Sequence, residues 1–267
     1  MEKKVITSKD NEIIKHIKKL KEKKYREEYS EFIIEGIKMI EEAVFEKAQI
    51  RSIIICDDCK VQGCIPNELM YEIAKFECIY VSEKVFNSIT DVINPQGILA
   101  VVKKNKVDEN EIDYSQETFL ILDNIQDHGN MGTILRTADS LNINQIIVTK
   151  GSADVYNLKV VRSTMGAIFR IKVIEVENLV KVIKELKKRK IKVFATDLKT
   201  DKSIYDVDYK KSAIVIGNEA NGVSEEVLVE ATQKIKIPMI GKTESLNAAV
   251  ATSVILYEAF RSTGKIK

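Results

Sequence analysis

The chain has 267 residues, 45% of them apolar and 31% charged, with a formal net charge of +2. That length is comfortable for two domains and supplies ample material for their cores. No apolar run approaches the roughly 20 residues of a membrane span, and the opening Met1-Glu-Lys-Lys is charged rather than signal-like, which points away from membrane and secreted roles and to a cytoplasmic protein.

The first expected element is a helix: Ser8 suits an N-cap, and Ile13, Ile14, Ile17 and Leu20 recur at helical spacing. Its surroundings are basic. Lys15, Lys18, Lys19, Lys21, Lys23, Lys24 and Arg26 face only Glu22, a cluster able to neutralise phosphates, although a solvated helix face accounts for the charge alone. Strands are then expected over 32–34, 50–56, 78–81 and 97–102, with helices over 37–45, 68–75 and 83–89. Together they predict a small α/β sandwich covering residues 1–103. All four cysteines (Cys56, Cys59, Cys64 and Cys78) lie in this part. Cys56-x-x-Cys59 has metal-hook spacing, but Cys56 closes the apolar run Ile53-Ile54-Ile55 and the second hook of a zinc ribbon is missing. No metal is expected.

Residues 103–117, KKNKVDENEIDYSQE, are polar and nearly devoid of aliphatics, and 104–117 read as a linker. From 118 to 267 strand and helix alternate again. Strands are expected over 118–122, 145–148, 171–174, 192–195, 212–216 and 234–237, helices over 130–141, 179–188, 224–230 and 247–261. This order argues an α/β domain with a mostly parallel sheet covered on both faces.

Three motifs in this half carry polar groups that a core does not demand. Asn130-x-Gly132-x-x-x-Arg136 opens a helix: Asn130 can cap, Gly132 permits close backbone approach, and Arg136 reads as a cation in the first turns, where the dipole favours acids. An exposed helix arginine is the plainer reading of that residue alone. Gly217-Asn-Glu219-Ala-Asn-Gly222 follows a strand and imitates a dinucleotide loop, but Glu219 stands where a pyrophosphate would need a glycine. The loop suits a ligand without phosphate and with a cationic centre, or else is a plain turn with a surface glutamate. Ile237-Pro238 ends a strand, and Ser245 or Asn247 can cap the last helix. A fourth segment, Arg162-Ser163-Thr164-Met165-Gly166-Ala167, suits a tightly packed helix whose Arg162 could reach a phosphate.

In this order and spacing the motifs resemble the signatures of the SpoU/TrmH family of RNA ribose 2′-O-methyltransferases, in the SPOUT superfamily. The front part is similar too: Asn11, Lys24, Arg26, Phe32, Glu35-Gly36 and Asn94-Pro95-Gln96-Gly97 follow the substrate-binding domain of these enzymes, which resembles ribosomal RNA-binding proteins. The resemblance implies a deep trefoil knot in the C-terminal domain, S-adenosyl-L-methionine as cofactor, and a ribose 2′-hydroxyl of ribosomal RNA as substrate, with transfer RNA second. It implies cofactor contacts from Thr196, Ile216, Gly217, Ile237 and Leu246, and a catalytic set of Asn130, Arg136, Glu219, Ser245 and Asn247. Lys23, Lys24, Arg26 and Arg162 are expected to meet RNA. One departure is His128, where relatives often have proline. The family's usual scheme makes the motif arginine a base; guanidinium is effectively always protonated, so Arg136 reads better as a stabiliser of the developing alkoxide. Family members are homodimers through this domain, and Ala248, Ala251, Thr252 and Ile255 form a small apolar stripe that suits either a partner helix or the sheet. The rivals are a non-catalytic RNA-binding or assembly protein and, disfavoured by Glu219, a nucleotide-dependent oxidoreductase.

Overall fold

In the computed structural model, which describes residues 4–57, 65–105 and 107–266, the first helix begins at Asn11 rather than Ser8. A short strand, β1 (Val5–Ile6), occupies the residues before it, and the Asn11 side chain accepts from the Ile13 amide. The following elements are α1 (Glu12–Lys19), α2 (Lys23–Tyr29), β2 (Glu31–Glu35), α3 (Ile37–Phe45), β3 (Ile50–Cys56), α4 (Asn67–Ile73), β4 (Cys78–Val81), α5 (Glu83–Phe86) and β5 (Ile98–Lys103). Then come β6 (Thr118–Asp123), α6 (His128–Ser140), β7 (Gln145–Thr149), α7 (Leu158–Thr164), β8 (Lys172–Val176), α8 (Leu179–Lys188), β9 (Lys192–Thr196), β10 (Ser212–Gly217), α9 (Glu225–Glu230), β11 (Gln233–Ile235) and α10 (Ala248–Ser262). Contacts divide the chain into two units: Met1–Asn105 with Tyr156–Phe169, and Lys106–Val155 with Arg170–Lys267. The helix α7, far along the sequence, therefore belongs to the first unit, where its Leu158 joins the core.

The first unit is built on a five-stranded sheet in the order β1-β4-β3-β5-β2. Its β1, β4 and β3 run parallel, while β5 is antiparallel to both neighbours. Ile33, Ile54, Leu99 and Val101 from the sheet pack against Ile14, Ile17 and Leu20 of the first helical turn-pair, all nearly solvent-free. Arg26, expected to face RNA, is only 3% exposed. Its Nη1 donates to the Leu20 and Lys21 carbonyls at 2.8 and 2.7 Å, so it braces the turn between α1 and α2. A composition-level reading sees a cation among cations; the two carbonyls at the end of α1 that need a donor decide its direction.

Glu35, at the end of β2, is buried as well. The Thr90 hydroxyl donates to its Oε1, while among the described residues Oε2 has no hydrogen-bond partner; nor has the buried Nη1 of Arg162, whose charge acts on this carboxyl. Desolvation pushes Glu35 above the usual carboxylate range, and Thr90, the Asp91 backbone and Arg162 oppose it only in part. The folded protein thus holds this proton to higher pH than the unfolded chain does. Its stabilising contribution is present below the ordinary carboxylate range and is lost as pH rises through the raised value. Urea midpoints measured against pH should fall across that window in the wild type and be flatter in Glu35→Gln; parallel curves would refute the assignment.

The second unit holds a six-stranded sheet, β11-β9-β10-β6-β7-β8, with every neighbouring pair parallel. Burial on both faces explains why β6 and β10 read as near-continuous apolar runs. Most of the expected linker, from residue 107 on, is part of this unit. Asp108 and Glu111 close a capping box around the turn Glu109–Glu111, and Ile112 is buried in the core with Val107 and Tyr114 packed beside it. Three apolar residues spaced among charges anchor a segment that composition marks as polar. The stripe on α10 also turns inward: Ala248, Thr252 and Ile255 are buried, and Ala248, Ala251 and Ile255 line a cavity of the same unit. Ala248, Thr252 and Ile255 thus serve the chain's own interior. Beside it α10 packs on α6, with the Thr137 and Ser253 hydroxyls 3.1 Å apart.

Candidate active site

In the second sheet the chain moves outward from β6 through β7 to β8, then returns to the other side for β9, β10 and β11. The carboxyl ends of β6 and β10 therefore meet at the point where strand order reverses, the place where open parallel sheets bind ligands. Asp123 ends β6 and its buried carboxylate accepts from the Ser224 amide at 2.8 Å. The side-chain Nδ2 of Asn218 donates to the Asn124 carbonyl at 2.9 Å, which ties the loop after β10 to the loop after β6.

The loop from Gly217 to Gly222 is held by its own backbone. Asn218 and Gly222 exchange two amide–carbonyl bonds of 2.9 Å, and Asn218 Oδ1 accepts from the Ala220 and Asn221 amides. Gly217 has no room for a side chain, since a Cβ there would lie 2.1 Å from Gly222 C and Val223 N. Beside this loop lies a cavity of about 1160 Å³. Thr196, Ile216, Gly217, Ile237 and Leu246 all line it, and Thr196 is steadied by donating to the Val215 carbonyl at 3.2 Å. Met239 of the third motif also lines the cavity, as does Leu198, which sequence reasoning missed although it is a large apolar residue left exposed in a turn.

The first motif takes a different shape from the one expected. Helix α6 starts at His128 with Asp127 as its cap, the Asp127 carboxylate accepting from the Asn130 amide at 2.8 Å. Asn130 is thus relieved of capping, and its side chain, 9% exposed, points across motifs. Its Nδ2 donates to Glu219 Oε1 at 2.8 Å, and its Oδ1 accepts from Asn247 Nδ2 at 2.9 Å. Asn247 caps α10 through Oδ1, which accepts from the Ala249 and Val250 amides. The direction of this chain is fixed at both ends: a capping oxygen must accept, a carboxylate must accept, so Asn130 must receive from one and donate to the other. Three motifs, the outer two 117 residues apart, become one polar relay at the cavity edge.

Glu219, Ser245 and Asn247 line the cavity and are exposed there, whereas Asn130 stands behind Glu219. Arg136 is elsewhere. It is exposed on α6, is not among the cavity residues, and, because α6 starts at His128, sits two turns into the helix rather than at its beginning. The dipole argument for an anion there accordingly loses its force. Lys23 and Lys24 are exposed on the first unit, and Arg162 is half-buried beside Glu35. Among the described residues no His, Cys, Asp and Glu cluster could hold a metal; Cys56 is buried at the end of β3, and Cys59 and Cys64 lie outside those residues.

The site can be tested against S-adenosylmethionine on its own chemistry. The apolar walls from Ile216, Ile237 and Leu246 suit a purine, the bare Gly217 backbone admits close approach, and Glu219 offers a carboxylate to a cationic sulfur. Two of the lysines on the lining are already occupied, Lys234 with Asp197 and Lys236 with Asp201, both at 3.6 Å. The residues fit.

Comparison with known proteins agrees with this geometry. A family model described as the SpoU rRNA Methylase family matches residues 117–257, and one for an MRM3-like substrate binding domain matches residues 11–100. The chain is 34% identical over 255 residues to the 23S rRNA (guanosine(2553)-2′-O)-methyltransferase RlmP of Bacillus subtilis, covering 95% of this chain and 98% of that protein. Among solved structures it is similar to an AdoMet-bound rRNA methyltransferase from Sinorhizobium meliloti, with a TM-score of 0.84, 31% identity and 97% of both chains covered. It is likewise similar to the SpoU methyltransferase AviRb from Streptomyces viridochromogenes in complex with AdoMet, with a TM-score of 0.85, 27% identity, and 96% and 100% of the two chains covered.

Proposed function

Because the chain belongs to the SpoU rRNA methylase family, we propose that it transfers a methyl group from S-adenosyl-L-methionine to a ribose 2′-hydroxyl of RNA, and of ribosomal rather than transfer RNA. The observation that carries this reading is the relay from Asn247 through Asn130 to Glu219 at the edge of the cavity. A binding protein needs no such chain of amides aimed at a carboxylate. When bound, S-adenosylmethionine supplies an electrophilic methyl on a cationic sulfur. Thr196, Ile216, Gly217, Ile237 and Leu246 hold it, and the rigid loop after β10 keeps its place from shifting. One oxygen of Glu219 is bound to Asn130, which leaves the other to orient the ribose or balance the sulfonium charge. Alignment of this kind can supply roughly 7–11 kcal/mol of the barrier.

Arg136 stabilises the alkoxide that develops on the attacking oxygen, and the hydroxyl proton leaves to a substrate phosphate. Since Arg136 is exposed on α6 and away from the cavity of its own chain, the active unit is a homodimer through the C-terminal domain, in which α6 and the outer side of α10 meet a second copy. Ser245 and Asn247 position the loop over the cofactor. Lys23, Lys24 and Arg162 serve RNA binding in the front unit, while Arg26 shapes the hairpin that carries the two lysines. The trefoil knot and a cytoplasmic site of action belong to the same reading. No helix among the described residues is long and apolar enough to cross a membrane.

Calorimetry with S-adenosylmethionine should give a saturable isotherm, and ribosomal RNA from a strain lacking the gene should lose a 2′-O-methyl mark that the purified protein restores. Absence of cofactor binding at millimolar concentration would leave a non-catalytic RNA-binding protein.

A further inference from the structure

The hairpin of α1 and α2 carries an arrangement that phosphate binding does not require. Tyr25 and Tyr29 lie one helical turn apart with rings nearly parallel, 11° between planes and 6.2 Å between centroids. His16, from α1, sets its ring 4.8 Å from Tyr29. Its position is fixed from beneath, since Nε2 lies 2.7 Å from Oε2 of Glu31, a buried carboxylate that also takes Arg51. Lys19 and Lys24 bring their ammonium groups 5.5 and 5.4 Å from the Tyr25 centroid. Lys19, Lys23 and Lys24 are exposed and form no ion pair among the described residues, whereas Lys15 is held by Glu12 and Lys21 by Asp91. Buried Arg26 sets the angle at which the two helices present these groups.

Half-buried aromatic rings with exposed lysines over one of them are the components with which proteins hold single-stranded nucleic acid. Tyr25, backed by Tyr29 and His16, offers a π-face that any base can cover, and lysines displaced from it are already placed for the adjoining phosphates. A duplex keeps its base faces stacked inside and could use only the lysines. We propose that the α1–α2 hairpin is a stacking platform for an unpaired nucleotide of the RNA substrate, so that this protein selects a looped, bulged or otherwise open segment. The inference rests on the RNA methyltransferase reading and names the form of RNA it takes.

The test uses the full-length protein with a single-stranded oligoadenylate containing 2-aminopurine and with the same strand in a duplex. Stacking should quench the fluorescence of the single strand and leave the duplex unchanged. Tyr25→Leu should weaken single-strand binding about tenfold and abolish the quenching, while Tyr25→Phe keeps both. Lys19→Gln with Lys24→Gln should instead reduce the slope of log affinity against log salt, which Tyr25→Leu leaves alone. Equal behaviour of Tyr25→Leu and Tyr25→Phe, or quenching that persists in both, overturns the platform. Should Tyr25→Leu fail to fold, photocrosslinking of 4-thiouridine RNA to the wild type decides: adducts on His16, Tyr25 or Tyr29 support it, and adducts only elsewhere refute it. Cofactor titration of the same samples separates the two levels. A wild type that binds S-adenosylmethionine while Tyr25→Leu keeps full RNA affinity loses only the platform; a wild type that takes no cofactor loses the enzyme reading.

Discussion

Gly217→Ala should abolish cofactor binding, with affinity for S-adenosylmethionine falling at least about 100-fold, close to 2.8 kcal/mol. A Cβ at this position would meet Gly222 C and Val223 N at 2.1 Å and Gly222 O at 2.4 Å. These are backbone atoms, so no rotamer change relieves the overlap. The paired bonds between Asn218 and Gly222 would have to open, and with them the contact from Asn218 to Asn124. Gly222→Ala is the informative control. Gly222 has a φ of +70° but nothing within 4 Å of its Cβ position, so alanine there costs only left-handed strain, about 1–2 kcal/mol. Calorimetry and thermal melts of both variants should show Gly217→Ala far worse on each measure; equal losses would mean that loop conformation, not close approach, governs the site.

Arg136→Ala should lower kcat about 10²–10³-fold, the usual cost of removing one donor to a developing oxyanion, with cofactor affinity unchanged because Arg136 does not line the cavity. Arg136→Lys distinguishes two roles. A lysine keeps the charge but loses the planar fork, so an electrostatic role predicts partial rescue with no new pH limb. Near-full rescue with a new alkaline pKa would make residue 136 the base. The exposure of Arg136 adds a mixing experiment: an inactive Arg136→Ala chain combined with an inactive Asn130→Ala chain should regain activity if each site draws on two copies.

Much of the fold could be read from the chain because its parallel strands are buried on both faces. Phe119 to Leu122 and Ala213 to Ile216 are continuous apolar runs, and turns at Asn124 and Asn218 mark their ends. The five expected cofactor residues were named through the family resemblance; in the fold Thr196, Ile216 and Gly217 close two of these strands, and Ile237 and Leu246 lie between β11 and α10. The role of Asn130 was less accessible. Sequence suggests Asn130 itself as the cap, and only the structure shows that Asp127 takes the cap and leaves Asn130 to join Glu219 with Asn247. Arg26 misled for a related reason: its partners are main-chain carbonyls, which no residue pattern displays. The placement of Ile112 was hidden by the charges on either side of it.

The assignment of Tyr156–Phe169 to the first unit bears on how this protein can be cut. A fragment beginning near residue 118 would take α7 away from β2 and leave Leu158, Val160 and Val161 facing solvent. The remaining front piece would have an apolar wound where Leu158 had been and a Glu35 carboxyl stripped of the Arg162 charge. The first unit is thus one body written in two separate stretches of sequence, and a cut near residue 118 divides it.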